Sequence, residues 1–321
     1  MAGIVGLGGG AGASGLWPVL ARAVGPARLT LIVGTAGDLH RYGLRVSPDL
    51  DTTLYALSGR QDAEQGEGLR HETFQSMKAL EALGGQTWFA LGDRDLATHL
   101  FRTGLLADGL TLTEVTAWLA TALGVRTRVL PMSDQEVTTR ISTTDGRLLT
   151  YPEYLVREQA GPGVRGVRFD GIGAARPAPG VLAAIESADL IVLGPSDPVA
   201  SLVPILGLPG VTSALEQRRE RAVAVSPVVA SVPVTDEGDR RRGQARAALL
   251  AAINLPATAS GVARLYRDVC ARFVYDRADQ GEDTRIEAQG LQPVAADLLL
   301  HRGAAPDSLL SALLGSQVFR P

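Results

Sequence analysis

The sequence predicts an α/β fold: a mostly parallel sheet flanked by helices, with a helical insertion and one short β-hairpin. Three observations predict it. Ala2–Leu7 is a short apolar run that leads into Gly8, Gly9, Gly10 and Gly12, and Leu16–Val24 then takes helical spacing. Leu29–Val33 and Leu190–Leu193 repeat the pattern, each an apolar run ending in a Gly-containing polar turn. Gln159–Pro179 and Thr235–Arg242 are loop-like, but neither convincingly divides the chain. Alternating strand, loop and helix builds a Rossmann-like parallel sheet with functional loops at the carboxyl ends of its strands. One α/β domain over residues 1–321 is expected.

The elements follow in order. Asp51–Ser58 and Glu72–Leu83 read as helices, Thr87–Leu91 as a strand and Asp93–Thr103 as a helix. Leu112–Leu123 is a helix opened by Thr111 or Thr113 as a cap. Arg126–Leu130 is a strand. Val137–Thr143 and Gly146–Tyr151 alternate around Asp145-Gly146, a hairpin signal. Val181–Ala188 is helical, and Ala222–Val225 is a strand followed by Ser226-Pro227. Asp239–Ile253 and Ala259–Phe273 read as helices and Phe273–Tyr275 as a late strand. Gln159–Pro179 reads as a long loop and Thr235–Arg242 as an exposed charged segment.

Composition excludes several function classes. The 321 residues carry a net charge of -3, which gives no electrostatic footprint for nucleic acid or an anionic membrane. Lys78 is the one lysine among 31 basic residues, so no Walker loop and no Schiff-base lysine beside a phosphate loop exist. High genomic GC content is a sufficient explanation for arginine over lysine. The lone Cys270 excludes disulfides within the chain and cysteine-rich metal sites and reads as a core residue. No apolar run is long enough for a transmembrane helix and no targeting segment is evident, so a cytoplasmic protein is expected.

Four segments can carry chemistry. The Gly8–Ser14 loop lets backbone approach a phosphate at a helix N-terminus, or makes a tight turn that packs closely. Val33 is followed by Gly34, and no acidic residue stands there to grip an NAD ribose. Asp38, Asp49 and Asp51 can hold Mg²⁺, and the latter two can equally cap a helix. In Trp88–His99, Asp93, Arg94, Asp95 and His99 crowd beside an aromatic pair. That suits either a nucleotide or flat-ring site, or a helix start with acids matched to its dipole. Gly194-Pro195-Ser196-Asp197-Pro198 is a ligand rim or a capped turn, and Ser133-Asp134 is a weaker case. His40, His71 and His301 have no motif support.

Together, Gly43–Thr52, Trp88–His99, Leu130–Asp134 and Gly194–Pro198 resemble the 2-phospho-L-lactate transferases of coenzyme F420 biosynthesis. The resemblance runs from about Gly8 to Pro227. It implies a Mg²⁺-dependent enzyme, usually a homodimer, whose donor is a guanosine diphosphate ester of lactate or enolpyruvate. The acceptor is the ribityl hydroxyl of the deazaflavin Fo, and GMP leaves. Carried over by position, Asp38 and Asp49 are catalytic and, with Asp51, metal-holding. Gly8, Gly9, Gly10, Gly12, Ser14, Ser133, Gly194, Ser196 and Asp197 border the nucleotide, and Trp88, Asp93, Arg94 and His99 the deazaflavin. Ser14 stands where the family usually has a basic residue, Gly34 and Gly37 replace an Asn and an Asp, Asp197 replaces an Asn, and a Lys-Gly-Pro turn is missing near Ser231–Thr235. Those departures also admit a divergent paralogue with another donor acid or acceptor, or a non-catalytic nucleotide-binding regulator.

Overall fold

A computed structural model describes residues 3–62, 66, 68–298 and 307–315; His301 lies outside them. The chain order begins β1 (Ile4–Leu7), α1 (Gly10–Ser14), α2 (Leu16–Val24), β2 (Leu29–Val33), β3 (Leu39–Arg41), β4 (Leu44–Val46) and α3 (Pro48–Leu57). It continues with α4 (Gln75–Ala82), α5 (Asp93–Ala107), α6 (Leu112–Ala122), β5 (Arg128–Pro131), β6 (Thr138–Thr143), β7 (Leu148–Thr150) and β8 (Val164–Asp170). Then come α7 (Val181–Ser187), β9 (Leu190–Leu193), α8 (Val203–Leu206), α9 (Val211–Gln217), β10 (Ala222–Val225) and α10 (Glu237–Ala252). The described chain ends with α11 (Ala259–Tyr266), β11 (Arg272–Asp276), α12 (Glu282–Glu287), β12 (Gln292–Ala296) and α13 (Asp307–Leu314).

Seven strands form one parallel sheet in the order β12-β11-β10-β9-β1-β2-β5. Strands buried on both faces read as apolar runs, as β1, β2, β9 and β10 do. Period-two alternation splits their side chains between two cores. Val5, Leu7 and Ile32 face one, which includes residues of α7, α9 and α11. Ile4, Leu31 and Val33 face the other, with α2, α3, α6 and α13. The chain leaves β1 toward β2 and β5 on one side and returns through β9 to β12 on the other. The order therefore reverses between β1 and β9, where ligands of such sheets bind.

The helical insertion is α4 to α6. Thr111 caps α6, accepting from the Glu114 backbone while Glu114 reaches back to the Thr111 N–H. The Asp145-Gly146 hairpin is β6–β7, antiparallel as the alternation predicts.

Several segments depart from expectation. Thr87–Leu91 is an irregular turn, not a strand. Its β-prone Trp88 and Phe89 pack edge to face on each other and with Leu39 and Val46 through their side chains, so they join a small apolar cluster rather than a ladder. Gln159–Pro179 is not one loop, because Val164–Asp170 pairs with β6 as a third antiparallel strand, with Arg140 joined to Asp170 across the pair. The helix from Ala259 stops at Tyr266, and Arg272 and Phe273 are drawn into the parallel ladder with β10 and β12 instead. Cys270 is buried behind that turn, and burial pushes its thiol up to about 12, as suits a core residue. Among the described residues no single helix is long and apolar enough to cross a membrane.

Candidate functional site

The loop after β1 and the turn after β9 meet at the reversal of the sheet. Gly8 holds φ +116, and a Cβ there would lie 2.3 Å from the Ser196 Oγ. A Cβ on Gly12 would lie 2.3 Å from the Pro195 carbonyl. The two turns are thus packed backbone to backbone, and the Ser196 hydroxyl donates to the Gly9 carbonyl at 3.0 Å. Beneath them the Trp17 indole lies against Gly6 and Gly194, and its Nε1–H donates to the Gly8 carbonyl at 3.2 Å. Gly194, Ser196 and Gly8 therefore shape the loop by close packing.

Above the loop opens a cleft of about 670 Å³, lined in part by Gly9, Gly10, Gly12, Gly37, Asp49, Asp51, Asp95, His99 and Asp197. Phe74, Trp88, Phe89, Tyr151 and Leu155 supply its apolar lining. The Arg41 guanidinium lies over the Trp88 ring at 4.8 Å and that of Arg157 at 5.5 Å. Asp49 projects from the first turn of α3 toward Gly10 and accepts from the Ser201 hydroxyl at 3.0 Å. Asp197 caps the π-helical turn Pro198–Leu202, accepting from the Val199 and Ala200 N–H groups at 3.0 and 2.7 Å. Burial raises the Asp197 carboxyl above its ordinary value, against the pull of Arg246 and those two N–H groups.

A buried charge network stands behind one wall. Arg102, one turn past His99 on α5, grips both oxygens of Asp51. Arginine can only donate, so His99 Nδ1, 3.3 Å from Arg102 Nη1, is the acceptor. His99 Nε2 then carries the proton and lies 3.1 Å from Asp95 Oδ2. The Tyr55 hydroxyl donates to Asp95 Oδ1 at 2.5 Å. Burial pushes the Asp95 carboxyl up, but His99, Tyr55 and Arg102 outweigh it and hold it below the usual carboxylate range.

The profile of the family described as 2-phospho-L-lactate transferase CofD matches residues 4–304. The chain belongs to this family. A phosphoenolpyruvate transferase of Streptomyces griseus is 39% identical over 92% of this chain and 92% of its own length. A 2-phospho-L-lactate transferase of Methanosarcina mazei is 35% identical, over 91% of this chain and 93% of its own. A crystal structure of a UPF0052 family protein from Bacillus halodurans shares the fold at a TM-score of 0.58 and 19% identity, covering 92% of this chain and 93% of that one. As a member of the CofD family, the chain is a transferase of phosphoryl-type groups.

The other predicted residues of this CofD-family chain lie as follows. Asp38 does not line the cleft; its Oδ2 accepts from the Arg45 Nε and Nη2 at 3.2 and 3.0 Å and from the Ser47 hydroxyl at 2.6 Å. Its Oδ1 is buried without a partner. Ser14 lies beside the loop, donating to the Ala11 carbonyl at 3.0 Å and accepting from Gln61 at 3.0 Å. Ser133 turns into its own loop, where it exchanges hydrogen bonds with Gln135. Asp93 turns away and caps α4, accepting from the Gln75 and Ser76 N–H groups at 2.8 and 2.9 Å. The Thr73 hydroxyl, and then those two N–H groups, hold its carboxyl far below the ordinary value. Arg94 reaches out to the Arg70 carbonyl at 3.1 Å. Glu72, which sequence reasoning missed, caps α5 in exchange, accepting from the Arg94 and Asp95 N–H groups at 2.8 and 3.0 Å. Arg242 and Arg246 on α10 also line the cleft and were not anticipated. Their one signal was four-residue spacing in a helix otherwise read only as charged.

Burial raises the Asp38 carboxyl from 3.8 to about 6, against the opposing pull of Arg45 and Ser47. The native carboxyl binds its proton more tightly than the unfolded one, so ionisation weighs on the native state. Its contribution to stability is present below 3.8 and is lost as pH rises to about 6. Replacing Asp38 by Asn should flatten the stability curve across that interval in urea melts. A curve of unchanged slope would mean that Asp38 titrates normally.

Proposed function

We propose that this chain acts in coenzyme F420 biosynthesis, moving a phospho-three-carbon-acid group from a guanosine diphosphate ester to the ribityl hydroxyl of Fo. The family match over residues 4–304 carries this reading, because it spans every element that builds the cleft. The relatives' names support both a 2-phospholactyl and an enolpyruvyl phosphate donor.

The donor set fits a hard divalent cation such as Mg²⁺. Asp49 stands at the glycine loop, where phosphates would lie, with its carboxylate against Gly10. Mg²⁺ retains several waters and needs only one or two carboxylates beside the substrate phosphates. Asp51, Asp95 and His99 offer ligand atoms within 4.8 Å of one another. Arg102 already neutralises Asp51, so that cluster reads as an ion-pair network; Arg45 holds Asp38 in the same way, outside the cleft lining, and we assign the cation to Asp49. When bound, it would neutralise charge on the diphosphate.

The chain's own residues do the rest. The glycine loop presents backbone to the diphosphate, and Asp197 and Ser201 hold the turn that faces it. The aromatic lining accepts the flat deazaflavin and excludes water from the reacting phosphorus. The ribityl oxygen forms its new bond to the phosphorus bearing the acid, the anhydride P–O bond breaks, and GMP departs with the bonding pair. Asp197, whose carboxyl burial raises above its ordinary value, is the cleft carboxylate suited to take the hydroxyl proton, whereas His99 and Tyr55 hold Asp95 too low for that work. Positioning and charge neutralisation supply most of the acceleration in such transfers.

The test mixes the protein, Mg²⁺ and Fo with guanosine diphosphate esters of lactate, enolpyruvate and glycerate. GMP and a phosphorylated deazaflavin are expected in equal amounts with lactate or enolpyruvate. Release of GMP only with another acid would identify a divergent paralogue, and no release with any ester would overturn the reading.

A further inference from the structure

The cleft is poor in positive charge for a site that takes a diphosphate. Carboxylates crowd it, among them Asp49, Asp95, Asp197 and Asp236, whereas the basic side chains lining it among the described residues are Arg242 and Arg246. The two are one turn apart on α10 and share a side of the helix. That helix packs on Pro198–Leu202, the turn whose Ser201 touches Asp49, and on the π-helical segment Glu153–Arg157. Tyr151 is half-buried where these meet, and the charges of Asp197, Arg246, Asp49 and Arg242 all act on its hydroxyl. The guanidinium pair and the carboxylate at the glycine loop therefore share one neighbourhood.

The pair is braced. Arg246 Nη1 donates to the Pro227 carbonyl at 2.7 Å, which fixes the plane of its guanidinium. Its Nε–H is buried without a partner. Arg242 is steered by Asp239, whose carboxylate is 2.7 Å from Nη2. A half-buried guanidinium that lines the cleft, with Nη1 held on a backbone carbonyl, turns its remaining edge to an anion with more than one oxygen.

We propose that Arg242 and Arg246 form a fork that grips the diphosphate of the incoming donor, supplying from α10 the cationic contacts that Ser14 leaves absent from the glycine loop. The anion chemistry stands on the cleft itself; the nucleoside attached to it rests on the donor reading above.

The experiment is a calorimetric titration of the intact protein with Mg²⁺ and, in turn, pyrophosphate, GDP and guanosine. Arg246→Ala and Arg242→Ala should each weaken pyrophosphate and GDP by about tenfold or more, as loss of a charge-assisted hydrogen bond requires. Guanosine should be unaffected, and Arg246→Lys should recover part of the loss because it keeps charge without the fork. Thermal melts of each variant verify folding. Variants that bind pyrophosphate and GDP as tightly as the wild type would overturn the fork, as would an equal loss for guanosine. A wild type that grips pyrophosphate through both arginines yet binds no GDP would keep the fork and overturn the nucleotide donor. A wild type that transfers from the guanosine ester, with variants of unchanged affinity, would overturn the fork alone.

Discussion

Asp49→Ala should lower turnover by on the order of 10³-fold while the protein still folds. The carboxylate stands against Gly10 in the glycine loop, so its loss removes negative charge where a cation would sit. The cost to folding is small by comparison. Asp49 is an acid in the first turn of α3, a place worth about 0.3–1 kcal/mol, and it gives up one hydrogen bond from Ser201. Against a typical stability of roughly 5–15 kcal/mol that loss is tolerated. GMP release measured beside a thermal melt separates the two effects. Full turnover in the variant would place the cation elsewhere.

Arg102→Met should destabilise the fold by about 3–5 kcal/mol, the usual consequence of stranding a buried charge. Arg102 and Asp51 are both nearly inaccessible, at 1% and 4% exposure, so water cannot take the place of the missing guanidinium. The same change strips His99 Nδ1 of its donor and leaves the Arg45 carbonyl without one. Changing Asp51 to Leu in the same chain should restore much of the loss, because no unpaired charge then remains. Denaturation in urea reads both. A single variant within about 0.5 kcal/mol of the wild type would mean that Asp51 is neutral or solvated.

The parallel sheet was legible because its strands are apolar runs that end in glycine or proline turns. Leu29–Val33, Leu190–Leu193 and Ala222–Val225 fold over the residues expected. The turn chemistry of Asp145-Gly146 was equally direct. Val164–Asp170 was hidden by Gly166 and its arginines, although Val167 and Phe169 do alternate. Within Trp88–His99 the residue types were informative but the direction was not. Asp95 and His99, four apart, share a face, whereas Asp93 is two residues from Asp95 and points the other way, into the end of α4. Contacts across long separations left no local trace. Arg242 and Arg246 lie more than 200 residues beyond the loop they face, and Arg102 meets Asp51 only because α5 packs beside β4 and the start of α3.

The Trp17 indole, seated beneath Gly6 and Gly194 and bonded to the Gly8 carbonyl, acts as a mould for the glycine loop. The loop takes its shape from the hydrophobic side of the sheet. Its outer residues are therefore free to drift. Ala11 can depart from the family pattern without disturbing the backbone, whereas Ser14 is buried and tied to the Ala11 carbonyl and to Gln61. The backbone of the loop and the polar groups on its open side are thus set from opposite faces, so a change in one need not change the other.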